Sequence, residues 1–101
     1  MRVITAKHIK AFGETHADAK GALSTWLEEV EGAQWRTPHD VQAMFPYVSI
    51  LGNNRLCFNI RGNTYRLIVA VLYSRGIVMV KFIGTHRQYD DIEAETVDDF
   101  A

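Results

Sequence analysis

Apolar residues in the first half of the chain recur at helical spacing. One stripe comprises Ala19, Ala22, Leu23, Trp26, Leu27 and Val30. These residues follow one another at the three- and four-residue intervals of an amphipathic helix, and Gly32 is a plausible stop. A shorter helix is expected from an N-cap at Thr5 to near Gly13, after a brief strand over residues 2–4. Thr37 and the following proline predict a third helix, which residues 45–46 close.

The second half alternates apolar and polar residues with a period of two, which is typical of half-buried strands. Residues 55–61, 64–73 and 77–83 predict three strands, and residues 47–51 predict a short edge strand. The pair Gly62-Asn63 forms a tight hairpin turn, and residues 74–76 form another turn. We therefore predict a single α+β domain over residues 1–101, with N-terminal helices packed on one face of a small antiparallel β-sheet.

Register arithmetic predicts which side chains share a face of this sheet. The turn at residues 62–63 places Arg61 opposite Thr64, so the pairs on one face are all apolar: Ile60/Tyr65, Phe58/Leu67 and Leu56/Val69. Matching apolar residues in the second hairpin gives the pairs Tyr73/Val78, Val71/Val80 and Val69/Phe82. The opposite face then pairs Ala70 with Lys81 and Arg66 with Thr85. The face away from the helices is then expected to carry Arg55, Asn59, Arg61, Arg66, Lys81 and Thr85.

The distribution of charge supports such a cationic face. The net charge of the 101-residue chain is only −1, yet residues 41–89 contain Lys and Arg and no Asp or Glu. Residues 90–101 contain Asp and Glu and no Lys or Arg. The first segment is consistent with a polyanion-binding surface, and the second with negative charge that locally offsets it. Chance segregation of charges on a solvated surface gives the same pattern.

Several classes of protein are disfavoured by composition. No apolar run reaches the roughly 20 residues of a membrane helix, and no secretory h-region is evident at the start, so we expect a cytoplasmic protein. The single cysteine, Cys57, cannot form a disulfide framework. His8, His16 and His39 lack ligand spacing, and His86 with Asp90 lacks a third ligand, so neither a metal nor another cofactor is expected.

The residues after the third strand suggest acid–base chemistry. They bring His86 and Tyr89 to the end of the sheet beside Arg66. Cleavage of RNA without a metal requires a group that accepts the 2′-hydroxyl proton, cations that stabilise the phosphoryl oxygens and an acid for the leaving 5′-oxygen. Structural roles remain open: His86 as a backbone cap, Tyr89 at the core edge and Arg66 paired with Asp90 or Asp91. The residues alone do not separate a nuclease from a binder, nor a core role for Trp35 from a partner contact.

Two runs of sequence resemble the HigB family of toxin–antitoxin toxins. They are residues 58–67, which contain Tyr65-Arg66-Leu67, and residues 80–90, which contain Gly84-Thr85-His86-x-x-Tyr89-Asp90. The resemblance implies a RelE-like fold and an mRNA interferase that cuts messages largely in the ribosomal A site. It also implies a HigA-type antitoxin with a helix-turn-helix domain. The toxin would associate with operator DNA only through the complex with this antitoxin.

The resemblance also implies roles for individual residues. Arg66 would stabilise the phosphoryl charge with help from Lys81, and His86 and Tyr89 would be the acid–base candidates. The RNA-binding candidates are Arg55, Asn59, Arg61, Thr85 and Arg87. The acidic segment 90–101 departs from the basic character of such toxins. A non-catalytic module that inhibits translation by occupying RNA or the ribosome would use the same cations without proton transfer.

Overall fold

A computed structural model describes residues 1–101 and has an α+β architecture, as predicted. The helices are α1 (Ala6–Thr15), α2 (Lys20–Glu31), α3 (Pro38–Met44) and α4 (His86–Asp90). The strands are β1 (Arg2–Val3), β2 (Ser49–Leu51), β3 (Arg55–Ile60), β4 (Tyr65–Leu72) and β5 (Ile77–Thr85). They form one sheet in the order β1-β5-β4-β3-β2. The sheet is mostly antiparallel, but β1 pairs parallel with β5, which the expected meander did not include.

The helix boundaries follow the sequence signals with two differences. Helix α3 begins with the predicted cap, because the Thr37 side chain accepts from Asp40 N and Asp40 accepts from the Thr37 N–H. Helix α1 continues past Gly13 to Thr15. Thr5 makes no side-chain cap. Its hydroxyl instead accepts a hydrogen bond from Val80 N at 2.7 Å, which ties the start of α1 to β5.

The main core lies between the helices and one face of the sheet. Phe58 on β3 is its aromatic centre, with ring centroids of Trp26 at 5.4 Å and Phe45 at 5.0 Å in edge-to-face contact. Trp35 stacks on the same ring at 6.4 Å and is buried, so it belongs to the core. Aromatic contacts of this kind add to the free energy gained by burying apolar area. They hold the helices against the sheet and leave its other face available.

The predicted register is confirmed for the first hairpin and wrong for the second. β3 pairs with β4 as expected, from Arg55↔Ala70 to Ile60↔Tyr65. Between β4 and β5 the register shifts at Ile68/Val69 because Ile68 pairs with Phe82 whereas Val69 pairs with Val80. Lys81 is the extra residue of a β-bulge. Arg66 therefore lies opposite Gly84 rather than Thr85, and Ala70 opposite Met79 rather than Lys81.

The bulge also changes the face on which Phe82 lies. Val78 and Val80 belong to the main core. Phe82, expected there too, instead packs with Cys57 and Ile68 in a second cluster on the opposite face of the sheet. We call this opposite face, away from α1–α3, the outer face. Separately, no helix is long and apolar enough to span a membrane.

Candidate functional site

Arg66 is the central cation of the outer face. Its Cα partners across the sheet are Asn59 on β3 and Gly84 on β5. Gly84 leaves little free space: a β-carbon there would lie 2.6 Å from Gln88 Oε1 and 2.8 Å from Phe82 Cζ. The missing side chain thus allows α4 and Phe82 to approach the sheet next to Arg66.

A capping box fixes α4 at the end of β5. Gln88 N donates to the Thr85 hydroxyl at 3.1 Å, and Thr85 N donates to Gln88 Oε1 at 2.8 Å. These reciprocal bonds satisfy two backbone donors at the start of the helix. The His86 N–H also donates to Thr64 O at 3.2 Å, which connects α4 to the turn between β3 and β4. Thr85, an expected RNA contact, thus uses its hydroxyl as the cap of the helix that carries His86 and Tyr89.

The ring of Tyr89 supports the Arg66 guanidinium. Arg66 Cζ lies 5.2 Å from the ring centroid, within the range of a cation–π interaction. Burial, followed by the neighbouring Cys57 thiol, raises the pKa of the Tyr89 phenol, against a smaller opposing effect of Arg66. Burial likewise raises the pKa of the Cys57 thiol. Both groups are therefore neutral near pH 7, and the Tyr89 hydroxyl remains a proton donor.

His86 occupies the first position of α4, and its imidazole is half-buried. Its Nδ1 lies 3.4 Å from Asp90 Oδ2, one helical turn further on. The His86 and Tyr89 rings meet edge to face with centroids 6.4 Å apart. A carboxylate at Nδ1 orients the ring and leaves Nε2 for a substrate. The possible pairing of Asp90 with Arg66 is not observed, since Asp90 contacts His86 instead.

Lys81 is the extra residue of the bulge and lies on the outer face. Its Nζ forms an ion pair of 3.0 Å with Asp98, which lies near the C-terminus. Within this ion pair both side chains are largely covered, with 18% of Lys81 and 35% of Asp98 exposed. The lysine is thus beside the site, but its charge is already matched by a carboxylate.

The remaining candidate RNA-binding residues differ in accessibility. Arg55 is 5% exposed, which contradicts its expected position at the surface. Its Nη1 donates to the carbonyl oxygens of Ala94 and Val97 in the C-terminal segment. Arg61 lies beyond the last β3–β4 pair and forms a 3.2 Å ion pair with Asp18 at the helix side of the first hairpin, so its predicted position on the outer face is wrong. Asn59 and Arg87 are exposed.

The sequence analysis did not anticipate how the C-terminal segment packs. Three apolar side chains within the acidic segment, Ile92, Ala94 and Val97, pack against the cluster of Cys57, Ile68 and Phe82. Their spacing was the only available signal, and the surrounding carboxylates made the segment resemble a solvated tail. No group of three or more His, Cys, Asp or Glu side chains is arranged to hold a metal ion.

The outer face therefore combines an arginine on an aromatic platform with a histidine, a neutral phenol and a nearby lysine. Side chains of these types bind anionic oxygens and exchange protons. The fold itself, with N-terminal helices on one face of a mostly antiparallel sheet, is consistent with the class of RelE-like toxins.

Comparison with known proteins agrees with this class. Residues 19–92 match the HigB_toxin family, described as the RelE-like toxic component of a toxin–antitoxin system, and the chain belongs to this family. It is also 24% identical over 92 residues to the mRNA interferase toxin HigB of Escherichia coli strain K12, and alignment covers 89% of this chain and 88% of that protein. The mRNA interferase HigB of Shigella flexneri shows the same identity and coverage.

Proposed function

We propose that this toxin is a ribosome-dependent, metal-independent endoribonuclease that cleaves mRNA and so inhibits translation. The observation that carries the proposal is the placement of Arg66 over the Tyr89 ring, beside the helix that begins with His86. The distant relatives named mRNA interferase support the same activity. The site would take the A-site codon of a message on the ribosome.

In the proposed reaction the ribose 2′-oxygen attacks the adjacent phosphorus. The new 2′-O–P bond forms as the P–O5′ bond breaks, and the products are a 2′,3′-cyclic phosphate and a 5′-hydroxyl. A base removes the 2′-hydroxyl proton, and an acid protonates the departing 5′-oxygen. Arg66 and Lys81 stabilise the negative charge on the phosphoryl oxygens. DNA, which has no 2′-hydroxyl, would not be cut.

His86 and Tyr89 are the proposed acid–base pair. The neutral phenol of Tyr89, whose pKa is raised by burial, is suited to donate a proton. His86, oriented by Asp90, is suited to exchange protons near neutral pH. Around them, Asn59, Thr85 and Arg87 would contact the RNA backbone, whereas Arg61 pairs with Asp18 on the helix side and Arg55 is buried under the C-terminal segment.

The family implies an antitoxin partner. We propose that it is a HigA-type protein with a helix-turn-helix domain, that the complex binds operator DNA through that domain, and that the toxin acts in the cytoplasm. A neighbouring short reading frame that encodes such a protein would support this assignment.

The activity is tested by mapping mRNA 5′ ends after a brief pulse of expression. Wild type should produce new ends inside translated frames, and His86→Gln should produce none. His39→Gln is the matched control, because it makes the same change at an exposed histidine of α3, outside the site. Analysis of the upstream products should find 2′,3′-cyclic phosphates. Products with free 3′-hydroxyls would instead indicate attack by water.

The alternative is a module that binds RNA or the ribosome and inhibits translation by occupancy alone. Its support is the same cationic outer face, which is sufficient for binding without proton transfer. Growth arrest without new 5′ ends, unchanged in His86→Gln, would favour this alternative and exclude the catalytic roles of His86 and Tyr89.

A further inference from the structure

The C-terminal segment covers part of the outer face. We call residues 91–101 the C-terminal strap. Its apolar side chains, Ile92, Ala94 and Val97, pack on the sheet as described above. Asn53 Nδ2 donates to the Glu95 carbonyl oxygen at 3.0 Å, and Phe100 stacks on the His8 ring with centroids 3.9 Å apart. The strap is therefore anchored along its length by contacts that do not involve its carboxylates.

One strap carboxylate lies on a cation of the proposed site. Asp98 accepts from Lys81 Nζ at 3.0 Å, and the next residue, Asp99, donates its N–H to the Lys81 carbonyl oxygen at 3.0 Å. Both ends of Lys81 are thus held by consecutive strap residues. The two oxygens of a carboxylate present to an ammonium group the same charge-assisted hydrogen bonds as two phosphate oxygens do. Asp98 therefore makes with Lys81 the kind of contact that an RNA phosphate would make.

The strap also makes a second cation inaccessible to RNA. Arg55, buried under the carbonyl oxygens of Ala94 and Val97, has no access to RNA while the strap is in place. The strap has further Asp and Glu residues and no Lys or Arg, which lowers the positive potential of the outer face. The family match ends at residue 92, so Asp98 lies outside the matched residues.

We propose that the C-terminal strap is an autoinhibitory element in which Asp98 competes with RNA phosphate for Lys81. This inference rests on the proposed function, since it assumes that the outer face receives RNA. Binding of RNA exchanges one ion pair of Lys81 for another, and the apolar part of the strap stays on the sheet. Because of this exchange, the toxin binds isolated RNA with lower affinity than its cations alone would give.

The test compares Asp98→Asn with Asp99→Asn. Both variants remove one negative charge from adjacent strap positions, but only the first removes the ion pair with Lys81. Affinity is measured with a fluorescent single-stranded RNA oligonucleotide whose 2′-hydroxyls are methylated, so that it cannot be cut. Since a partly exposed ion pair contributes up to about 1 kcal/mol, we expect Asp98→Asn to bind about two- to five-fold more tightly than Asp99→Asn. The difference should shrink at high salt.

Two results would overturn the proposal: equal affinity of the two variants for the RNA, and absence of RNA binding by all forms at low salt. The wild type provides a check that needs no substitution: added RNA should shift the NMR resonances of the Lys81 ammonium group and the Asp99 amide.

Cleavage is measured separately in a translation reaction. If Asp98→Asn binds RNA more tightly but neither it nor wild type cuts mRNA, the strap acts as inferred and the nuclease proposal fails. If wild type cuts mRNA and the two variants bind and cut alike, the nuclease proposal stands and the strap is only structural.

Discussion

Replacement of Gly84 by alanine tests whether close packing at this position builds the site. The new β-carbon would lie 2.8 Å from Phe82 Cζ and 2.6 Å from Gln88 Oε1. Phe82 is buried under the strap and cannot move freely. Gln88 is flexible, but moving it breaks its bond with Thr85 N. Overpacking costs about 1–3 kcal/mol, and loss of one helix cap costs about 1 kcal/mol. We therefore expect Gly84→Ala to lower the free energy of unfolding by about 2 kcal/mol.

Chemical denaturation and thermal melting measure this effect. For a domain of this size, about 2 kcal/mol corresponds to a fall in Tm of about 8–16 °C. Gly21→Ala is the matched control, because a β-carbon at Gly21 in α2 meets nothing within 4 Å. It should leave stability unchanged or raise it by up to about 1 kcal/mol. Gly84→Ala should also weaken growth arrest, since a shift of α4 moves His86 and Tyr89 together.

A double variant identifies the contact responsible. If Gln88 causes part of the cost, the double variant should lose less unfolding free energy than the sum of the losses in Gly84→Ala and Gln88→Ala. If Gly84→Ala were as stable as wild type, the argument would be refuted. Phe82 and α4 would then not approach the sheet as closely as the structure indicates.

Three further predictions concern the fold. Thr37→Ala should lower the unfolding free energy by about 1 kcal/mol in urea titrations through loss of the α3 cap; no loss would exclude the capping box. Leu67→Asp should abolish cooperative melting because it places a carboxylate in the core, whereas the adjacent Arg66→Ala should fold; a folded Leu67→Asp would refute the assigned face. The Tyr65 hydroxyl donates to Asp18 at 2.6 Å, which lowers the pKa of Asp18 and raises that of Tyr65. The stability difference between wild type and Tyr65→Phe should therefore be present between about pH 4 and about pH 10, falling as Asp18 is protonated in acid and as Tyr65 ionises in base. A difference independent of pH would contradict the pairing.

The first hairpin could be predicted from sequence because two signals agree there. Strict alternation around Phe58 separates apolar from polar side chains, and the Gly62 turn leaves little freedom in the register. The backbone is left-handed at both Arg61 and Gly62, which is a compact way to reverse the chain. Arg66 and Asn59 therefore lie opposite each other on the outer face, as the pairing required.

The second hairpin could not be predicted by the same reasoning. Val80 packs in the main core, but Phe82, two residues further on, packs on the outer face, so alternation fails between these two residues of β5. Maximising apolar pairs in one regular ladder then selects the wrong register. The strap was missed for a related reason: charged residues dominate its composition, and the contribution of Ile92 and Val97 depends on a partner surface that only the folded sheet provides.

The bulge at Lys81 brings Phe82 to the face that carries Lys81, and so gives this cation its cover. In a regular ladder Lys81 and Phe82 would lie on opposite faces, and one extra residue instead places both on the outer face. Phe82 supplies apolar surface on which the strap packs, and Lys81 supplies the charge that Asp98 matches. The irregularity next to Lys81 therefore builds the apolar surface that holds the carboxylate with which RNA phosphate would compete. Removal of the bulge by deletion of one residue would therefore disturb the cation and the strap together, whereas Asp98→Asn separates them.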